Sequence, residues 1–397
     1  MVNVRQKTRV AGGRPAVVAV AAGTFSVVTT EMLPVGLLTP IGEDLGVSAG
    51  TAGLTMTVPG LVAAVAAPVV TRLAGRLDRR WVLVGLMGLL TAANLLSAAA
   101  TGIGVLVALR VLVGVCIGGV WAIAAGLAVR LVPERQVGPA TSLIFSGIAV
   151  ASVLGVPAGT MAGAAGGWRT AFLSMGAVAL AVTAALAALL PPLPPPSPEA
   201  ADRSGSVLGP LRAAPVRVGL LVVLLLVTGH FAGYTFVRPL LERVPGTDAG
   251  LIGGLLVAYG VAGVAGNFLA GYTVARRPRT TLLLIAAALA AVMPALAVAG
   301  GGAVGATVLV MLWGLAYGGV SVATQNRLMA AAPPGTGEGV SALFVSVFNV
   351  AIALGALVGG RVVDASSPAG AAWTGGALAL LAVCAVGAGP GAAGRGR

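Results

Sequence analysis

The chain is 397 residues long, 58% hydrophobic and only 9% charged, with a formal net charge of +13. A soluble domain of this size needs far more charge to cover its surface, so composition excludes an ordinary globular protein and points to a membrane. The apolar residues fall into twelve blocks of about 20, enough at ~1.5 Å per residue to cross a hydrocarbon core of ~30 Å. In chain order the predicted spans are 16–38, 50–70, 82–100, 105–128, 140–161, 170–190, 216–237, 251–275, 280–299, 303–325, 339–359 and 371–389.

The positive charge does not mark a nucleic-acid binder, because no basic stretch alternates with aromatic residues as stacking platforms require. Twelve spans return both termini to one side, and 19 of the 24 Lys and Arg residues lie on that side. Arg169, Arg238, Arg243 and Arg361 lie on the other, and Arg110 sits inside a span. This asymmetry predicts a multi-pass protein of a bacterial-type plasma membrane with both termini cytoplasmic. Span 1 follows basic residues, but its apolar run exceeds a signal core and holds Glu31, so it reads as a retained helix. Cys116 and Cys384 both fall within spans, and no metal-ligand spacing is present.

Between spans 6 and 7 the sequence Pro-Pro-Leu-Pro-Pro-Pro-Ser-Pro stops the helix and favours an extended linker. It divides the chain into an N-terminal six-helix bundle (1–190), a cytoplasmic linker (191–215) and a C-terminal six-helix bundle (216–397). The halves repeat one another. Gly114, Gly118, Gly119 and Val120 recur 200 positions later as Gly314, Gly318, Gly319 and Val320, and Gly155 and Gly159 recur as Gly355 and Gly359. Arg79 and Arg80 recur at offset 197 as Arg276 and Arg277, and Gly23 and Phe25 at offset 206 as Gly229 and Phe231. A duplicated apolar unit whose copies both begin on one side is the parallel repeat of a membrane transporter. The glycines, spaced by four, place small residues on single helix faces, which lets backbones approach closely in lipid.

Thr71-Arg72-Leu73-Ala74-Gly75-Arg76-Leu77-Asp78-Arg79-Arg80, between spans 2 and 3, resembles the signature loop of the major facilitator superfamily. Leu109-Arg110 with Gly114 is similar to that family's fourth-helix motif. Gly147 with Gly155-Val156-Pro157-Ala158-Gly159 resembles the fifth-helix motif of its drug:proton antiporters. Glu31-Met32-Leu33-Pro34, Arg130-Leu131-Val132-Pro133 and Gly167-Trp168-Arg169 resemble the arabinose-efflux-permease-like and purine-ribonucleoside-efflux-like branch. The resemblance covers nearly the whole chain and implies an all-α fold of twelve helices in two pseudo-symmetric bundles. It also implies a conformational switch at Arg76, Asp78, Arg79 and Arg80 and at Gly155, Pro157 and Gly159. Two departures stand out. Gly75 occupies the usual loop acid, whose latch Asp78 is placed to replace, and Val156 separates Gly155 from Pro157. Pro157 removes a backbone donor and is expected to bend or loosen span 5.

Charges inside a span cost roughly 2.5–3.5 kcal/mol on insertion scales and are functional candidates by default. Glu31 and Arg110 both sit roughly 8 Å below the outer surface at ~1.5 Å per residue. Burial favours a protonated carboxyl and a nearby guanidinium an ionised one, so Glu31 reads as a titrating group tuned by Arg110. The alternative is a fixed ion pair bracing two helices. The resemblance supports proton coupling, since a first-helix acid and the fourth-helix Arg are implicated there. His230, the only histidine, reads either as a proton carrier or as a hydrogen-bonded cavity residue. Arg238 is expected to snorkel outward, with pairing across an outer gate as the alternative. Asn349 leads the neutral candidates for substrate contact, ahead of Asn94, Asn267, Gln325 and Asn326. Trp121, Phe145, Tyr234, Tyr259, Tyr317 and Phe348 either pack or line a cavity between the halves; all but Phe348 join His230 and Asn349 as substrate-site candidates.

A mostly apolar cavity with few polar anchors suits amphipathic solutes or nucleosides better than sugars. The expected activity is therefore proton-driven export by alternating access around a midplane site. A proton-coupled importer or facilitator is the alternative. No cofactor is expected beyond the proton gradient; the partners are a small solute, protons and lipid, and a monomer is expected. A membrane enzyme would need a nucleophile with its base or a metal cluster, and a receptor a sizeable soluble segment. The longest loop here, 191–215, is about 25 residues, too short for such a segment.

Overall fold

A computed structural model describes residues 13–73, 77–195, 208–298, 302–334 and 336–388. Among them there are helices and no strands. Twelve are long and apolar enough to cross a membrane: spans 1–6 are Gly13–Gly36, Ala49–Ala67, Arg79–Ala98, Ile103–Ala124, Glu134–Gly166 and Trp168–Leu189. Spans 7–12 are Ala214–Tyr234, Ala249–Val274, Pro278–Val298, Ala303–Ala331, Gly339–Ala365 and Pro368–Ala388. Gly13 and Ala388 lie on the same face, called here the terminal face, and the opposite one the far face.

Local chemistry sets the ends. Asp78 caps span 3, accepting from the Arg80 N–H at 2.8 Å, and Asp248 caps span 8, accepting from the Leu251 N–H at 2.7 Å. Gly46, at φ 64°, closes the short helix Leu38–Leu45 in the left-handed region that a side chain disfavours. Span 1 departs from the uninterrupted helix expected to residue 38. Its α-helix ends at Met32 and a 3-10 turn runs over Leu33–Gly36, because Pro34 has no N–H to continue the ladder.

The glycine faces become seams. On span 4, a Cβ at Gly114 would fall 2.6 Å from Val62 Cβ, and one at Gly118 2.6 Å from the Ala63 carbonyl, both on span 2. On span 10, Gly314 and Gly318 press in the same way on the backbone of Tyr259 and Gly263 in span 8. A Cβ at Gly147 of span 5 would meet the Ala21 carbonyl at 2.5 Å, and Gly155 and Gly159 lie against Thr29 and Leu33 of span 1. Span 11 repeats this on span 7, where Gly355 meets the Thr228 carbonyl and Gly359 meets Ala232. Small residues thus let backbone touch backbone where lipid offers no hydrophobic drive.

One apolar core fills the C-terminal half, around Leu226, Trp313 and Leu289. A second fills the N-terminal half around Met87, Ile117 and Leu127. A third lies at the far face, where Phe236 of the C-terminal half joins Leu37, Ile41 and Phe172. The halves meet along spans 2 and 11 and along spans 5 and 8.

Candidate functional site

Two prolines prepare the N-terminal half of the site. Each removes the N–H that would bond to the carbonyl four residues earlier, which leaves the carbonyls of Thr30 (before Pro34) and Thr55 (before Pro59) without their helical donors. Arg110, 0% exposed, takes both. Its Nη2 donates to the Thr30 carbonyl at 2.9 Å and its Nε to the Thr55 carbonyl at 3.2 Å. Its guanidinium also lies 5.4 Å from the centre of the Phe172 ring. Arg110 therefore ties spans 1, 2, 4 and 6 together. Asn94 of span 3 adds a bond from Nδ2 to Thr30 Oγ1 at 3.1 Å.

Glu31, one residue beyond Thr30, is 6% exposed. It forms no ion pair with Arg110: Glu31 Oε1 and Arg110 Nη1 are both buried without a hydrogen-bond partner. The two remain close enough to feel each other's charge. The direct pair held open from the sequence is thus replaced by an arginine committed to main-chain carbonyls beside an unclaimed carboxyl.

The C-terminal half supplies rings. His230 is 1% exposed and stacks on Tyr317 at 3.3 Å between centroids and on Tyr234 at 4.9 Å. Tyr234 stacks on Tyr259 at 4.7 Å. Trp313 stands edge-on to His230, Tyr234 and Tyr259. The spacings 230/234 and 313/317 put each pair on one helix face. Tyr317 lies near enough to Glu31 to interact with its charge. Trp313 was absent from the sequence-derived candidates. Its spacing of four from Tyr317, alongside Gly314 and Gly318, was the available signal.

The other candidates lie elsewhere. Trp121 and Phe145 stack at 6.0 Å, 18° from parallel, between spans 4 and 5. Asn349 donates to its own helix at Val345, 2.9 Å away, and its backbone faces Gly60 across the seam between halves. In span 5 a π-helical turn, Ala151–Gly155, precedes Val156 and Pro157, so the missing proline donor is absorbed as a local widening. Asp78 binds the N–H of Leu193 through both oxygens, at 2.9 and 3.0 Å, and the Arg79 N–H donates to the Leu193 carbonyl. Arg80 donates to the Ala187 carbonyl at 2.5 Å. The loop acid thus holds the beginning of the linker. Arg76 lies outside the described residues.

The far face is shut between the halves. Arg238 does not snorkel: it is 7% exposed, donates to the Gly36 carbonyl at 2.5 Å and pairs with Glu242 at 2.8 Å. Thr39 donates to the other Glu242 oxygen at 2.7 Å. Asp364 accepts from Ser48 Oγ at 2.8 Å and from the Gly50 N–H at 2.9 Å. Phe236 fills the gap against Gly53 and Gly360. Near the terminal face, by contrast, a cavity of about 560 Å³ opens between spans 10 and 11 beside Gln325, Asn326, Met329 and Ser341. Among the described residues no group of His, Cys, Asp and Glu could hold a metal ion.

Comparison with known proteins gives the same architecture. The family model described as Major Facilitator Superfamily matches residues 20–356. A Pseudomonas aeruginosa protein called transcription regulatory protein OpdE is 34% identical over 374 residues, 94% of this chain and 92% of its own. The purine ribonucleoside efflux pump NepI of Salmonella typhimurium is 31% identical over 366 residues, 91% of each chain. Among solved structures, the nucleoside transporter NupG superposes with a TM-score of 0.75 at 12% identity, over 94% of this chain and 99% of its own. A bacterial homologue of the human lysosomal transporter Spinster, inward-facing and occupied, gives 0.69 at 17% identity, over 94% and 92%. The two glycine-seamed bundles and these matches together identify a transporter rather than an enzyme, and the chain belongs to the Major Facilitator Superfamily.

Proposed function

We propose that the chain exports small amphipathic solutes, nucleosides among them, in exchange for protons. The observation that carries this is Glu31, a buried carboxyl with an unclaimed oxygen, in a molecule whose opposite half holds a cluster of stacked rings. On the charge asymmetry the terminal face is read as cytoplasmic and the shut far face as outward. A solute would reach the rings from the cytoplasm. Opening of the far mouth would release it, and a proton arriving from outside at Glu31 would reset the carrier. One chain holds both halves of the path, so a monomer suffices, working in a bacterial-type plasma membrane.

The NepI relative supports nucleosides as the first solutes to try. The basic residues here flank spans instead of forming a nucleic-acid surface, which argues against the regulatory role in the OpdE relative's name. The test is flux in inverted membrane vesicles with an acid interior. Uptake of a purine nucleoside or a cationic drug that a protonophore abolishes is the expected result. Uptake only into right-side-out vesicles with acid outside would establish import instead. Flux indifferent to the gradient would remove proton exchange.

A further inference from the structure

The ring cluster carries direction as well as stacking. An indole N–H only donates, and that of Trp313 points at His230 Nδ1, 3.1 Å away. Nδ1 therefore holds no proton, and the neutral ring keeps its proton on Nε2. Nε2 lies 3.4 Å from the Tyr259 hydroxyl oxygen, so the imidazole donates and the tyrosine accepts. A hydroxyl that accepts through its oxygen still has its own proton to give.

We propose that Trp313, His230 and Tyr259 form a one-way donor relay that makes Tyr259 a hydrogen-bond donor to an acceptor on a planar heteroaromatic solute. Trp313 is the positioning residue, acting through His230. Its role rests on the reading of the rings as the substrate wall. Two features select the ligand class. The near-parallel rings of Tyr317, His230 and Tyr234, 10° and 21° apart, form a stack of the kind that a further flat ring extends. A heteroaromatic base added to such a stack presents its carbonyl oxygens and unprotonated ring nitrogens in its own plane, as acceptors for a neighbouring hydroxyl. A donor fixed in this way discriminates well, because a solute without the acceptor leaves a buried hydroxyl unpaired.

The relay also takes His230 out of proton traffic, since an imidazolium would turn an N–H toward the indole N–H. The titratable groups facing His230 are Tyr234 on its own span, Tyr259 on span 8 and Tyr317 on span 10, with Glu31 of span 1 beyond Tyr317. Spans 9, 11 and 12 pack on span 7 here through Met293, Gly355 and Leu378, none of which titrates.

His230 is the only histidine in the chain, so 15N-histidine labelling of the whole protein, purified on a histidine-free tag, reports one ring. The expected wild-type spectrum is the Nε2–H tautomer, unchanged from about pH 5.5 to 8, across the range where a free histidine titrates. Trp313→Phe should free the ring to mix its two neutral tautomers. An imidazolium or Nδ1–H form in the wild type, or an unaltered Trp313→Phe spectrum, would overturn the relay. In flux assays Tyr259→Phe, nearly isosteric, should raise KM for a purine nucleoside by about 3- to 10-fold, with kcat unchanged, as for one lost hydrogen bond. It should leave KM unmoved for the analogue whose acceptor nitrogen is replaced by C–H. Equal effects on both solutes would overturn the ligand assignment. No nucleoside flux in the wild type would remove the substrate reading, while the tautomer result still decides the relay.

Discussion

At the candidate site the N-terminal half contributes a carboxyl, a guanidinium, an amide and two proline-freed carbonyls; the C-terminal half contributes an imidazole, an indole and three phenols. The seams beneath them match, with Gly114 and Gly118 answered by Gly314 and Gly318. The chemistry does not. Arg110 is answered at the repeat offset by Val310, Trp313 by Val113, Tyr317 by Ile117, and Glu31 by Val237. Backbone packing in lipid constrains both halves alike, because each must seat its helices without help from water. The polar positions above the seams carry no such demand, so one half can hold charge and the other recognition.

Glu31→Gln would break that division most forcefully. Gradient-driven flux should fall by ~100-fold or more, the scale of losing an essential proton carrier, while solute–solute exchange persists. If His230→Gln abolished gradient-driven flux while Glu31→Gln did not, the roles of the halves would be reversed. Arg110→Met comes next. It strands the Thr30 and Thr55 carbonyls, each a buried acceptor worth about 1–3 kcal/mol, and thermal unfolding in detergent should show a drop of ~2–5 kcal/mol. Arg110→Lys, with a point-like ammonium in place of a fork, should fall between. Pro34→Ala would return an N–H to compete for the Thr30 carbonyl and loosen Arg110 without deleting it.

The latch between the halves gives a smaller effect. Arg238→Gln or Asp364→Asn weakens charge-assisted bonds worth ~1.5–3 kcal/mol. The expected readout is faster labelling of a cysteine engineered on the Phe236 side of the far mouth. Unchanged labelling would show that Phe236 and its glycine contacts close the mouth alone. Smaller again are the seams. Gly118→Ala and Gly318→Ala should each cost ~1–3 kcal/mol through overpacking, and a large inequality between them would show that the scaffold is less symmetric than the repeat implies.

The spans, the repeat and the glycine faces were legible in the sequence because hydropathy and four-residue spacing are local patterns. What escaped depends on distant partners. Pro34 and Pro59 announce two unpaired carbonyls, but the arginine that takes them lies 55 and 80 residues from Thr55 and Thr30. Trp313 reads as packing in any apolar helix; only a histidine from span 7 turns its N–H into a tautomer lock. Arg238 reads as a snorkelling arginine because hydropathy does not see the opposite half, whose Gly36 carbonyl keeps it buried. Asp78 reads as a substitute latch, yet it accepts from the Leu193 N–H at the start of the linker that follows span 6 of its own half.

The least costly change concerns how each half uses an acid at the far face. Glu242 works across the halves, through Arg238 and Thr39. Asp44 works within its own, accepting from Arg169 at 2.5 Å and from the Trp168 indole at 3.0 Å, while Arg169 also holds the Ala100 carbonyl. The hydrogen bond from Arg169, then that from Trp168, keep the Asp44 carboxyl below its usual 3.8. A carboxylate whose folded-state value is depressed contributes stability above the unfolded value and loses it as pH falls through the folded one. Asp44→Asn should therefore lower the melting temperature slightly at neutral pH, by an amount that holds down to about pH 5 and vanishes under strong acid. The pair is solvent-exposed, so high salt should shrink the difference further. Because Asp44 touches only its own half, the substitution should leave cysteine labelling of the far mouth unchanged, whereas Glu242→Gln should speed it. Equal labelling in the two variants would mean that the acids are not divided between bracing one half and joining both.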